Sequence, residues 1–189
     1  TQGWPYFAEN LWMATPDNGV LAAIYSASSV MVQVGKGTKI NIREETNYPY
    51  EEEIRFTIET VKSVNFPLYL RIPAWCKSAS VSINGKIISE KVEAGKFIRM
   101  ERKWESGDKL ILNLPMEISV KRYEKNHNPA SVQYGPLTFS LKIKENYIKK
   151  NSVETAIWDS KWQKGADTEK WPSWEIYPGS EWNLSLIHI

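Results

Sequence analysis

Val81-Ser82-Ile83-Asn84-Gly85-Lys86-Ile87 reads as a two-stranded hairpin. Short alternations of apolar and polar residues flank Asn84-Gly85, the pair that best accepts positive φ at both central turn positions. Turns of that kind twist in the sense their strands require. The same period of two continues on both sides. Ile40 and Ile42 alternate with Lys39, Asn41 and Arg43, and Ile54, Phe56 and Ile58 alternate with Arg55, Thr57 and Glu59. Each is the pattern of a half-buried strand with one wet face. Leu68, Leu70 and Ile72 follow. Beyond the hairpin come Phe97 to Met100, then Lys109 to Leu114 after a Ser106-Gly107-Asp108 turn, with Leu110, Leu112 and Leu114 on one side. Pro115 closes that run and Ile118 to Arg122 begins another. Nearer the start, Val20 to Ser26 and Val30 to Val34 are strands, and Gly35-Lys36-Gly37 turns into Thr38 to Glu44. Short strands at this spacing, separated by polar turns, predict a β-sandwich.

One helix is expected, over Pro5 to Thr15. Pro5 suits a first helical turn, Ala8, Leu11 and Met13 are good formers, and Pro16-Asp17-Asn18-Gly19 ends the run. The polar stretch Lys121 to Asn128 is a candidate domain boundary. After it, Ala130 to Ile143 predicts a buried strand pair around Gly135-Pro136, Lys144 to Lys150 a charged loop, and Trp158 to Trp182 a Trp-rich tail with little periodicity.

The chain has 189 residues, and 42% of them are hydrophobic, which supports a packed core. Its net charge of +2 lacks the basic excess of a nucleic-acid binder. No apolar run approaches the length of a membrane span. Cys76, the only cysteine, excludes an intrachain disulfide and a multi-cysteine zinc site within these residues. The chain opens Thr1-Gln2-Gly3-Trp4-Pro5 without an initiator Met or a leader pattern. It closes on the alternating Leu184-Ser185-Leu186-Ile187-His188-Ile189 without a turn signal. We expect the native polypeptide to continue past both ends, so neither end reports a cellular compartment.

Few residues suggest chemistry. Glu44-Glu45 and Glu51-Glu52-Glu53 flank Tyr48-Pro49-Tyr50, but neighbouring residues on a strand point to opposite faces, and a solvated strand-end cluster is the expectation. Asp159, Asp167 and Glu169 read as surface. His127 and His188, the two histidines, are too far apart in sequence to suggest a catalytic triad or a metal site. Cys76, just after Pro73-Ala74-Trp75, reads as a small packing residue. Gly35-Lys36-Gly37-Thr38 lacks the second glycine and the helix of a phosphate loop, and Asn183-Leu184-Ser185 matches a glycosylation acceptor by composition alone.

The nine tryptophans are the anomaly. Trp158, Trp162, Trp171, Trp174 and Trp182 crowd the tail beside Tyr177. Flat aromatic faces suit the C–H surfaces of sugars, as they suit interface anchors. Trp4, Trp171 and Trp174 are the candidate carbohydrate contacts. Packing against the end of a sandwich or against another domain is the competing explanation, and Trp4, Tyr6 and Trp12 read most simply as packing.

Several segments in order resemble one family. They are Gln2-Gly3-Trp4-Pro5 with Asn10-Leu11-Trp12-Met13 and Asp17-Asn18-Gly19, then Leu70-Arg71-Ile72-Pro73-Ala74-Trp75-Cys76 with Val81-Ser82-Ile83-Asn84-Gly85. Trp104-Glu105-Ser106-Gly107-Asp108 with Leu112-Asn113-Leu114-Pro115-Met116 follows, then Tyr134-Gly135-Pro136-Leu137, then Trp174-Glu175-Ile176-Tyr177-Pro178 with Trp182-Asn183. Together they resemble the C-terminal half of glycoside hydrolase family 127, the β-L-arabinofuranosidases and their relatives. The resemblance implies an all-β region of jelly-roll or immunoglobulin-like sandwiches, with one N-terminal helix left over from an (α/α)6 barrel. It divides the chain into 1–19, the last barrel helix; 20–122, a first sandwich; and 123–189, part of a second.

The family's nucleophile is a cysteine in a zinc site of cysteines and a glutamate, with another glutamate as acid/base. The nucleophile's Cys-Cys pair falls before Thr1, and Cys76 does not match it. The resemblance therefore assigns no catalytic or metal residue and no cofactor here, and it assigns zinc to the parent's barrel. Gln2 and Trp4 would lie on the active-site side. The implied partners are the upstream barrel of the same polypeptide, a plant-type oligosaccharide substrate, and a second subunit in a homodimer; no nucleic acid and no membrane are implied. The implied role is non-catalytic support and a pocket wall, with the chain alone inactive. A carbohydrate-binding module using the C-terminal tryptophans is the alternative, and a stand-alone immunoglobulin-like interaction domain is a weaker third. The Gln2-Gly3-Trp4 subgroup need not share arabinose specificity.

Overall fold

The computed structural model describes residues 3–88, 92–125, 128–140, 142–150, 169–170 and 172–181. In chain order the elements are α1 (Gly3–Glu9), β1 (Trp12–Ala14), β2 (Val20–Ala22), β3 (Ser28–Val34), β4 (Thr38–Thr46), β5 (Glu53–Thr60), β6 (Val64–Arg71), β7 (Ser80–Ile83) and β8 (Lys86–Ile87). They continue with β9 (Phe97–Trp104), β10 (Lys109–Asn113), β11 (Ile118–Arg122), β12 (Ala130–Tyr134), β13 (Leu137–Phe139), β14 (Glu145–Lys150) and β15 (Ser173–Pro178). The chain forms two compact units, Thr1–Phe139 and Ser140–Ile189.

Two sheets face each other in the first unit, in the orders β1-β2-β6-β9 and β3-β4-β5-β10-β7-β8. The alternation read from the sequence supplies the core. Ile40 and Ile42, Ile54, Phe56 and Ile58, and Leu110 and Leu112 point inward from one sheet. Val20, Ala22, Phe66, Leu68, Leu70, Ile98 and Met100 meet them from the other. Each such aliphatic or aromatic side chain withdrawn from water contributes about 1.5–3 kcal/mol. Trp104 is wholly buried, and its indole N–H donates to the Phe66 carbonyl at 3.1 Å, so its one polar atom is satisfied. All pairings in these two sheets are antiparallel except β2 with β6, which runs parallel. A third sheet, β11-β12-β13, belongs to the same unit.

The Asn84-Gly85 turn is as read, with φ of 49° and 78°. The Asn84 side chain does more than tolerate that conformation. Its Oδ1 accepts from Lys109 N at 2.9 Å and its Nδ2 donates to Asp108 Oδ1 at 2.7 Å, which fastens the hairpin tip to the start of β10. Asp108 Oδ2 accepts from Glu105 N at 2.9 Å and closes the preceding turn. Asp108 is buried because both its oxygens are used.

Three expectations are corrected. The helix does not run from Pro5 to Thr15 but ends at Glu9. Asn10 Nδ2 bonds back to the Tyr6 carbonyl at 2.7 Å, the Leu11 carbonyl accepts from Ala23 N at 2.9 Å, and Trp12–Ala14 pair with Val20–Ala22 as a strand. Sheet pairing overrides the helix preference of Leu11, Met13 and Ala14. The strand pair around Gly135-Pro136 forms, but its residues are half-buried or exposed, with none in the core. Lys144 to Lys150 is not a loop: Glu145–Lys150 pair antiparallel with Ser173–Pro178 as the two-stranded sheet of the second unit.

Candidate functional site

Glu44 continues the inward alternation of Ile40 and Ile42, and it is only 2% exposed. One carboxyl oxygen accepts from Ser26 N at 3.0 Å. The other accepts from the Ser28 hydroxyl at 3.3 Å, and that hydroxyl in turn accepts from the Trp12 indole N–H at 3.0 Å. Burial raises the carboxyl from its ordinary 4.5 to about 8, against the smaller opposing effect of these two hydrogen bonds. At neutral pH Glu44 is a protonated acid that ties the β2–β3 connection to β4. This corrects the expectation of a solvated cluster at Glu44-Glu45. The signal that would have revealed it was in the sequence, since Glu44 keeps step with Ile40 and Ile42. Glu45 and Glu51 are exposed as expected, while Glu52 turns inward to accept from Met116 N at 2.8 Å.

Where β2 and β6 end, aromatic and polar groups gather. The buried Tyr25 donates its hydroxyl to the Arg71 carbonyl at 2.5 Å, and its ring lies edge-on to Tyr48 with centroids 5.9 Å apart. The Arg71 guanidinium stands 5.9 Å from the Tyr25 centroid, and its Nε donates to the Ala23 carbonyl at 2.6 Å. Burial raises both tyrosines, and the Arg71 charge acts against it in each; the Trp75 indole also favours the Tyr48 phenolate. Cys76 is 1% exposed and burial likewise raises its thiol, which suits a packing residue. Sequence reasoning did not single out this end.

The sequence-predicted aromatics fall in separate units. Trp4 sits on α1, 70% exposed and edge-on to Phe7 at 5.6 Å. Helix α1 buries none of its residues. Trp174 lies on β15, 51% exposed, on the same face as Ile176 and Tyr147; its ring meets that of Tyr147 edge-on at 6.3 Å. Trp171, Trp158, Trp162, Trp182, His127, His188, Asp159, Asp167 and Asn183-Leu184-Ser185 lie outside the described residues. Among the described residues no group of three or more His, Cys, Asp or Glu could hold a metal ion. None of their helices is long and apolar enough to cross a membrane.

Fold and surface together define a β-sandwich module that presents aromatic side chains to solvent. The chain belongs to the GH127 β-L-arabinofuranosidase family: the model of that family's middle domain matches residues 19–116, more than half of the chain. A middle domain is one of several in its polypeptide. No curated protein matches the sequence. Among solved structures the chain is similar to a GH127 β-L-arabinofuranosidase from Geobacillus stearothermophilus T6, at 20% identity and a TM-score of 0.64, over 91% of this chain and 32% of that one. A structure described as a glycoside hydrolase aligns at 26% identity and a TM-score of 0.60, over 70% of this chain and 22% of that one. A GH127 β-arabinofuranosidase aligns at 22% identity and a TM-score of 0.58, over 72% and 27%. The chain thus spans a third or less of the length of these solved structures.

Proposed function

We propose that this chain is the non-catalytic accessory region of a family 127 glycoside hydrolase, supporting an upstream (α/α)6 barrel and forming one wall of its pocket. The match of residues 19–116 to the family's middle domain carries the reading. Helix α1 supports it: a seven-residue helix that buries nothing of its own is marginal in water, and its exposed Trp4 and Tyr6 offer apolar area to a neighbouring domain. On this reading residues 1–19 are the end of the barrel, 20–122 the first sandwich and 123–189 part of a second. Zinc, nucleophile and acid/base belong to the barrel, with a plant-type oligosaccharide as substrate and a second copy of the enzyme as a subunit partner.

The purified chain should release no nitrophenol from a nitrophenyl β-L-arabinofuranoside above a buffer blank. Measurable turnover would overturn the reading. A second reading, a carbohydrate-binding module, is favoured by the exposed face of Trp174, Ile176 and Tyr147. It predicts fluorescence quenching by arabino-oligosaccharides that is lost in Trp174→Ala, with Trp171→Ala as its companion; quenching unchanged in both variants would remove it.

A further inference from the structure

A strand at the edge of a sheet carries unpaired backbone N–H and C=O groups, and soluble proteins blunt such edges with charge, proline or brevity. The two facing sheets end on β1 and β9, and on β3 and β8. Strand β1 has three residues, and β8 has two, one of them Lys86. Strand β9 has eight, with Arg99, Glu101, Arg102 and Lys103 among them. In the third sheet β11 carries Lys121 and Arg122, and β13 has three residues. Strand β3 has none of these devices. Its seven residues, Ser28-Ser29-Val30-Met31-Val32-Gln33-Val34, contain no charge and no proline.

Ladder bonds alternate along an antiparallel pair, so every second β3 residue turns its N–H and C=O away from β4. The Val34 carbonyl accepts from Gly37 N at 3.1 Å across the turn into β4, which aims Val34 at that strand. Counting back, Ser29, Met31 and Gln33 present their backbone groups to the open edge. Among the described residues, no backbone outside the sheet bonds to them. Val30 and Val32 pack against the core from this edge, and Met31 stands 78% exposed on the outer face. Laid antiparallel against itself with Met31 on a two-fold axis, β3 is self-complementary. Met31 then faces its own counterpart, Val30 faces Val32, Ser29 faces Gln33, and Ser28 faces Val34. No like charges meet, the valine pairs extend the core face, and each bonded pair adds two backbone hydrogen bonds. Two copies related in this way close on each other and leave no further β3 edge open. We propose that β3 is the surface through which two copies of this chain pair, joining their six-stranded sheets across a two-fold axis. The second copy is the subunit partner of the hydrolase reading, while the interface itself rests on the β3 edge.

The test is sedimentation velocity on the 189-residue chain at about 100 μM, a concentration that fills a dimer of micromolar Kd. The wild type should sediment as a dimer. Met31→Lys changes an exposed side chain and sets two like charges directly opposite across the axis, so the dimer Kd should rise about tenfold or more. Met31→Cys should form an interchain disulfide on mild oxidation, because its two copies face each other within disulfide reach. The native Cys76 is buried and stays out of that reaction. Gln33→Cys, on the same outer face, should not cross-link, because it faces Ser29 and its own counterpart lies about 13 Å along the strand. The two cysteine variants also test the interface should Met31→Lys fail to fold. A monomeric wild type, a dimer that Met31→Lys leaves as tight, or equal cross-linking of the two cysteine variants would overturn pairing through β3. Each of these outcomes leaves the hydrolase reading standing, because that reading is carried by the family match of residues 19–116.

Discussion

A carboxyl group taken out of water is held either by a cation or by its proton, and Glu44 keeps its proton. Its folded value of about 8 against an ordinary 4.5 gives stability a pH dependence of defined sign. Below the ordinary value both folded and unfolded chains are protonated, and the contribution is complete. Between about 4.5 and 8 the unfolded chain has lost the proton that the folded chain retains, so stability falls as pH rises, by up to about 1.4 kcal/mol per pH unit from this residue, and it levels off above 8. Urea midpoints of the wild type should therefore drop between pH 5 and pH 8. In Glu44→Gln, which keeps an acceptor for Ser26 N and does not titrate, that slope should flatten. A slope equal in both proteins would place the titrating group elsewhere. The sequence carried a signal of Glu44's burial in its spacing from Ile40 and Ile42, but the run of neighbouring acids read as a solvated cluster. The Arg71 end was not legible, because Ala23, Tyr25, Tyr48 and Trp75 meet there only after strands far apart in sequence have paired.

Among the elements, the hairpin was legible because its determinants are local. Asn84-Gly85 carries its turn preference in its own backbone, and the structure adds that Asp108 secures it from the turn that precedes β10. Asp108→Ala leaves the Glu105 N–H and the Asn84 amide short of their partners. Such a loss costs about 1–3 kcal/mol and should appear as a lower thermal midpoint, whereas Asp108→Asn, which keeps an acceptor, should lose less. Equal losses in the two variants would contradict the role given to those bonds. The helix and the charged loop were misread for the opposite reason. Residues 12–14 and 145–150 are strands only because β2 and β15 supply their partners, and β15 lies 23 positions beyond the end of β14. Propensity and local charge carry no trace of such a partner.

For the whole molecule, the family was legible before the architecture. Leu70 to Cys76, the hairpin and the Trp104 to Met116 segment lie inside the matched residues 19–116, and each marks the end of a strand or a turn where few side chains satisfy the geometry. The role within a larger enzyme is an inference from that membership, and the unburied helix α1 is its physical counterpart. In a polypeptide that contains the barrel, Trp4→Asp should weaken docking and lower the unfolding temperature of the assembled protein, while in this chain alone, where Trp4 faces water, its effect should stay within about 0.5 kcal/mol. The same loss in both settings would contradict docking through α1. The measurement that bears most directly on the accessory role is the coding sequence immediately upstream of Thr1. The account predicts a Cys-Cys pair within a few codons, preceded by a helix-rich region that contains glutamates. A start codon or signal peptide at that place would contradict it.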